Sequence, residues 1–196
     1  MPKVSEEHRK QRRSEIARAA LRCFADKGFA ATSMTDIIAE SGLSAGAIYG
    51  HFASKEELIE VAVSDLFDDT FPPVVLPQWP TPFPTPDTLV RSLISNINNR
   101  VGDTKLLVQV WGQACTTAPL KVAVSEVGQR LRTMFYTYLI RWFEQEHSHD
   151  EAVILAEKYA DVYVGLAQGY VTQSALFDQF DGERYLDAIC DIRLSA

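Results

Sequence analysis

Three serines, Ser33, Ser44 and Ser54, punctuate the stretch "TSMTDIIAESGLSAGAIYGHFASKEEL", and Gly42 stands between the first two. A serine just ahead of an apolar-periodic run is a helix N-cap, because its hydroxyl accepts a backbone N–H that the first turn leaves unpaired. Asp36, three residues after Ser33, favours the positive end of the helix that follows. Glu57, three residues after Ser54, completes the capping-box pattern there. Gly42 breaks the first of these helices, which leaves the second only about residues 45–51. Two short helices joined at a glycine make helix-turn-helix geometry, and Ile37, Leu43 and Ile48 supply the small core that would lock their crossing.

The remainder reads as helix almost throughout. Ile16, Ala17, Ala20, Leu21 and Phe24 recur at three- and four-residue spacing, which predicts an amphipathic helix over 6–27 ended by Gly28. The helix capped by Ser54 continues through Leu58, Ala62 and Leu66 to residue 69. "FPPVVLPQWPTPFPTPD" then carries too much proline for a helix interior, so residues 71–86 are expected to form an extended linker or lid. Helical patterns follow at 87–101, 104–117, 120–146, 150–177 and 182–194. No strand-like alternation competes with them. The expected fold is all-α, with a head over residues 1–55 and a larger helical body over 56–196.

The charge is divided the same way. The chain carries −7 overall, yet residues 1–55 hold +3 and the rest −10. A basic head on an acidic body is what a protein needs when only one end meets phosphate. No apolar run is long enough to span a bilayer, and the charged N-terminus "MPKVSEEHRKQRRSE" has no signal-peptide core. Cys23, Cys115 and Cys190 are widely spaced, which predicts reduced, mostly buried thiols in a cytoplasmic protein.

Tyr49 and His51 raise two readings: an acid–base pair, or one face of a short helix pressed on nucleic acid. The first lacks a carboxylate orienter and a nucleophile at local spacing, so no catalytic residue and no enzyme activity are expected. "HSHDE" at 147–151 falls at a helix break and reads as a solvated loop more readily than as a metal site; no metal or cofactor is called for. In the body, Val127, Leu131, Met134, Phe135, Tyr138 and Trp142 form one helical stripe, normally core. Gln109, Gln113, Tyr159, Tyr163, Gln168 and Tyr170 add polar groups that need hydrogen-bond partners if buried. Polar groups among apolar walls suit a small-molecule pocket, with Trp111, Cys115 (as a small apolar filler), Phe135, Tyr138 and Trp142 as further lining. Trp79 and Phe83 of the proline-rich segment are candidates for a cover over it.

"ATSMTDI", "ESGLS" and "GAIYGHFASKEEL" together resemble the DNA-binding domain of the TetR (tetracycline-repressor-like) family of bacterial regulators, over residues 16–58. "LLVQVWGQA" and "GLAQGYVTQSAL" look, less specifically, like its ligand-binding domains. The resemblance implies that Thr32, Ser33, Tyr49, His51 and Lys55 contact phosphate, Tyr49 also reaching base edges, with Arg12 and Arg13 as further candidates. Phe52 would pack inward. Ile38 and Ser41 depart from the family pattern, as do the small Ala45, Ala47 and Gly50 of the recognition helix. That helix, from Ser44 through Gly46 onward, is therefore expected to approach DNA closely and read it with few side chains. The resemblance further implies a homodimer through residues 150–194, with Val162, Leu166, Tyr170, Phe177 and Ile189 as apolar contributors, on double-stranded DNA with a palindromic operator. The expected function is a ligand-responsive transcriptional regulator, most simply a repressor released by a small, largely apolar or aromatic effector. An activator of the same family, or an all-α small-molecule-binding protein or enzyme using the Tyr49/His51 face, is the alternative.

Overall fold

A computed structural model describes residues 6–71 and 80–190 of the chain, the side chain of Cys190 excepted. Nine helices account for most of the described residues: α1 (Glu6–Ala31), α2 (Met34–Ser41), α3 (Ala45–Tyr49), α4 (Lys55–Thr70), α5 (Pro86–Val101), α6 (Lys105–Ala114), α7 (Ala118–Phe143), α8 (His149–Leu176) and α9 (Gly182–Cys190). The described residues contain no strand.

The head is built on α1. Its inner face buries Ile16, Ala20 and Phe24, and Ile37 of α2, Ile48 of α3 and Phe52 close over them without solvent contact. The helix was expected to stop at Gly28. The regular helix does break there: Gly28 takes φ 80° and ψ 162°, a region open essentially to glycine alone, and a separate short turn carries α1 on to Ala31. That kink brings Phe29 back onto Phe24, ring centroids 4.7 Å apart.

The body is a bundle in which α7 and α8 pair along their length, with α5 and α9 on one side and α6 on the other. α4 touches α1, α5 and α7, so it joins head to body, and α6 also reaches α1. One buried core runs through both parts. The expected extension of α9 to Leu194, and Trp79 of the expected lid, lie outside the described residues. Phe83, just beyond, stacks on Tyr138 at 5.3 Å and on Trp142 at 6.4 Å, while the Tyr138 hydroxyl donates to the Pro84 carbonyl at 2.7 Å. The C-terminal end of the proline-rich segment is thereby laid on α7. Two helix ends come earlier than the sequence pattern suggests: α6 closes at Ala114 and α7 at Phe143, each running out into hydrogen-bonded turns.

Candidate nucleic-acid interface

Each short helix of the head begins where a serine caps it. Ser33 Oγ accepts from the Asp36 N–H at 3.2 Å while the Asp36 carboxylate accepts from the Ser33 N–H at 2.8 Å, a complete capping box. Lys27, at 2.6 Å, and then Ser33 hold the Asp36 carboxyl well below the usual carboxylate range. Ser44 Oγ accepts from the Ala47 N–H at 3.2 Å, and Gly42 takes the left-handed turn between the helices at φ 67°. Ser54 caps α4 through the Glu57 N–H, but the Glu57 carboxylate returns to the Ala53 N–H, one residue off the box pattern.

This frame buries Ile48 and turns the opposite face of α3 outward. Ser33, Ser44, Ala45, Gly46 and Gly50 are exposed, Ala47 is half-buried, and Tyr49 stands 53% exposed. Nothing lies within 4 Å of where a Cβ on Gly46 would sit. The outward face is thus small and flat, with a single phenol rising from it.

Three sequence-derived candidates do not face outward. Thr32 is 1% exposed, and its hydroxyl lies 2.8 Å from the Gly28 carbonyl and 3.1 Å from that of Cys23; it closes the kink of α1 and offers no hydroxyl to phosphate. Lys55 donates to the carbonyls of Phe29 and Thr32, both at 3.0 Å, so its ammonium caps the end of α1. His51 is half-buried with its Nδ1 enclosed and unpartnered. Burial, then the charges of Arg9, Arg13 and Arg12, push its pKa below the ordinary 6.5 and favour its neutral form.

Arg13 is also drawn inward. Its guanidinium donates to the His51 carbonyl, lies 4.3 Å from the centroid of the Phe52 ring and pairs with Glu57 at 3.4 Å. It clamps the far end of α3 to α1 and α4. Arg12 pairs with Glu15 at 2.7 Å on the surface, a contact worth little and easily exchanged. Arg9 is exposed and makes no ion pair among the described residues. Arg9 and Arg12 both act on His51, so two available cations stand beside the end of the outward helix. Sequence reading passed over Arg9; its signal was its place one turn before Arg12 and Arg13.

The expected ligand-lining residues do not converge on one cavity. Trp111 lines a small apolar cavity of about 40 Å³ at the centre of the body, with Phe67, Ile97, Leu107 and Val127. Trp142 and Tyr163 line a second cavity, about 480 Å³, at the end remote from α3. Phe135 and Tyr138 are fully buried behind it, and burial pushes the Tyr138 phenol far up. Gln109 points elsewhere: its Oε1 is buried without a partner against Gly28, at the contact of α6 with α1. Gln113 bonds Thr117, and Cys115, expected to be a buried filler, is exposed with its thiol donating to the Trp111 carbonyl. Tyr159 packs on Phe143, and Tyr170 on Phe180 and Tyr185. No group of three His, Cys, Asp or Glu suited to a metal occurs among the described residues; His149 instead bonds Glu144 at 2.7 Å.

A fold that is all-α among the described residues, with its outward short helix on a glycine turn beside Arg9 and the surface-paired Arg12, has the architecture of a helix-turn-helix DNA-binding regulator. Residues 16–62 match the family model "Bacterial regulatory proteins, tetR family". The HTH-type transcriptional repressor KstR2 of Mycolicibacterium smegmatis is 40% identical over 60 residues, 31% of this chain and 29% of that protein. Matches to the curated relatives thus span about a third of the relatives' length. The fold likeness runs much further. A putative TetR-family transcriptional regulator from Mesorhizobium loti superposes with a TM-score of 0.64 at 18% identity, covering 93% of this chain and 95% of that one. The multidrug binding protein EbrR, solved with proflavin, gives 0.57 at 19% identity over 92% and 98%. Residues 16–62 thus resemble the tetR family of bacterial regulatory proteins, and the chain as a whole shares the fold of the solved regulators. No helix among the described residues is long and apolar enough to cross a membrane.

Proposed function

We propose that the protein is a cytoplasmic, ligand-responsive transcriptional repressor that binds a palindromic operator as a homodimer and leaves it when a small effector occupies the body. The observation that carries this reading is the exposed face of α3: capped by Ser44, clamped at its far end by Arg13, and bare except for Tyr49. In this reading residues 1–55 act as the DNA-binding unit and 56–196 as the ligand-binding and dimerisation unit. Ser44, Ala45, Gly46, Ala47 and Gly50 approach the major groove, Tyr49 reaches phosphate or a base edge, and Arg9 and Arg12 hold the backbone. KstR2, a relative through its head, is itself named a repressor, which supports the sign of regulation.

The dimer would form through α8 and α9. Ile154, Val162, Leu176 and Phe177 are exposed apolar side chains on or at the end of α8, an unusual density for a face left to water. A two-fold pair sets two copies of α3 one helical turn of DNA apart and so calls for an inverted repeat. The central cavity beside Trp111 lies among α4, α5, α6, α7 and α8, where an apolar effector would press on the helix that joins head to body. EbrR, a structural neighbour, was solved with a small aromatic compound, which supports an effector of this kind. An effector larger than the present cavity must open it, and that differential between two states is what would move α4.

The test is fluorescence anisotropy on the inverted repeats nearest this gene. Arg9→Ala and Tyr49→Ala should each weaken binding while leaving the melting temperature unchanged. Binding that survives both substitutions, or no preference for an inverted repeat over random duplex, would sink the reading.

A further inference from the structure

A cavity of about 280 Å³ lies where the head meets the body, between α1, α4 and the last turn of α5. Arg18 lines it from α1, Asp65 and Asp69 from α4, and Arg100 from α5. Carboxylates thus stand on α4, and guanidinium groups on two helices that α4 touches. None of these four side chains makes an ion pair among the described residues, whereas Asp68, next to Asp69, is taken by Arg130 at 2.8 Å. Two carboxylates one turn apart on a helix repel each other. Partial burial, then the charges of Asp69 and Asp68, raise the Asp65 carboxyl above its ordinary value, and Arg13 and Lys10 offset this only in part.

An independent observation comes from Thr70, which lines the same cavity at the end of α4. It is 1% exposed, and its Oγ1 is enclosed without a hydrogen-bond partner among the described residues. Its carbonyl, by contrast, accepts from Asn96 Nδ2 at 2.8 Å, which holds the residue in place. A buried hydroxyl is ordinarily paired, and a helical threonine usually satisfies itself on a carbonyl one turn back. Without that bond, the Thr70 hydroxyl keeps its capacity for a group from outside the chain. Leu21 and Leu66 add apolar wall to the same space.

We propose that this cavity binds a small zwitterion, a free amino acid with an aliphatic side chain. Its carboxylate would lie between Arg18 and Arg100, its ammonium on Asp65 and Asp69, and its side chain against Leu21 and Leu66. An ammonium carries three donors, and Asp65, Asp69 and Thr70 offer acceptors from a single helix. A lone anion would meet two carboxylates and a lone cation two guanidinium groups, so neither gains what a molecule with both charges gains. A metal ion is disfavoured because the described residues present no group of three His, Cys, Asp or Glu suited to one. The volume lies just under the range of drug-sized sites, which suits a compact ligand. This second site shares no lining residue with the central cavity proposed for the effector.

The experiment is a proton–nitrogen NMR titration of the intact protein, without DNA, using three compounds. They are L-leucine, L-leucinamide, which keeps only the positive charge, and N-acetyl-L-leucine, which keeps only the negative one. Leucine should bind with a dissociation constant on the order of 1 mM, shifting amides around Arg18 and Asp69. Each derivative should bind at least about tenfold more weakly. Arg18→Gln and Asp69→Asn, both at exposed positions, should each weaken leucine about threefold without lowering the melting temperature. Thr70→Val removes the orphaned hydroxyl, so it should raise the melting temperature while weakening leucine about fivefold, a combination that a merely structural threonine does not give. The proposal is overturned by equal binding of the three compounds, or by no shift at about 20 mM leucine. Wild-type affinity in both Arg18→Gln and Asp69→Asn, or shifts centred on Trp111, would also overturn it. No operator is needed, so failure here and failure of the repressor reading are distinguishable.

Discussion

Head and body use their polar side chains differently. Around α3, groups that could have met a ligand are turned inward: Arg13 holds the His51 carbonyl and the Phe52 ring, Lys55 holds two carbonyls of α1, and Thr32 closes the kink at Gly28. In the body, Gln109 Oε1 is left buried without a partner where α6 meets α1. On the proposed function, the head is the reader and the body the sensor. A surface that presents mainly small residues must be held still to discriminate anything, whereas a pocket that recognises a ligand needs unfilled hydrogen-bonding capacity.

Substitutions can break this contrast, beginning with the strongest. Phe135 of α7 is fully buried against Tyr163 of α8, so Phe135→Ala should destabilise the protein by about 3–5 kcal/mol in urea unfolding. A loss below 1 kcal/mol would mean that the body is too loose to support a defined site. Lys55→Ala removes a charged cap from two carbonyls and should lower stability by about 1.5–3 kcal/mol even without DNA. An unchanged melting temperature with lost DNA binding would return Lys55 to the phosphate backbone. Ser44→Ala should cost about 1 kcal/mol by uncapping α3, and the loss should appear in hydrogen exchange at Ala47 before it appears in global unfolding.

The smallest expected effect is with pH. His51 has a folded pKa below its ordinary 6.5, so the unfolded chain takes up a proton in a window where the folded chain does not. Stability should therefore fall as pH drops below 6.5 toward the folded value, and His51→Gln should flatten that slope. A slope unchanged in the variant would mean that the enclosed imidazole is not the group responsible.

Much of the fold was legible because it follows local rules. Ser33, Ser44 and Ser54 do cap α2, α3 and α4, and Gly42 does take the left-handed turn, since a cap needs only neighbours a few residues away. The resemblance to the TetR family was carried by the same local stretch. What escaped was set by distance along the chain. Arg13 reaches partners 38 and 44 residues on, and Lys55 reaches back 26 and 23 residues, so neither role has a local signature. Likewise Gln109 and Trp111, two residues apart on α6, face different surroundings because α6 touches α1 on one side and α7 and α8 on the others. Composition could say that polar groups were available in the body, but only the packing decides which of them share a cavity.

The central claim is that the cations of the head divide their work, Arg13 holding the end of α3 and Lys55 the end of α1, while Arg9 and Arg12 are proposed to meet phosphate. The direct measurement is the slope of log affinity for operator DNA against log salt concentration, in the wild type and in Arg9→Ala/Arg12→Ala. Each phosphate contact contributes about 0.9 to that slope, so the double variant should lose roughly 2 while melting as the wild type does. An unchanged slope would contradict the account.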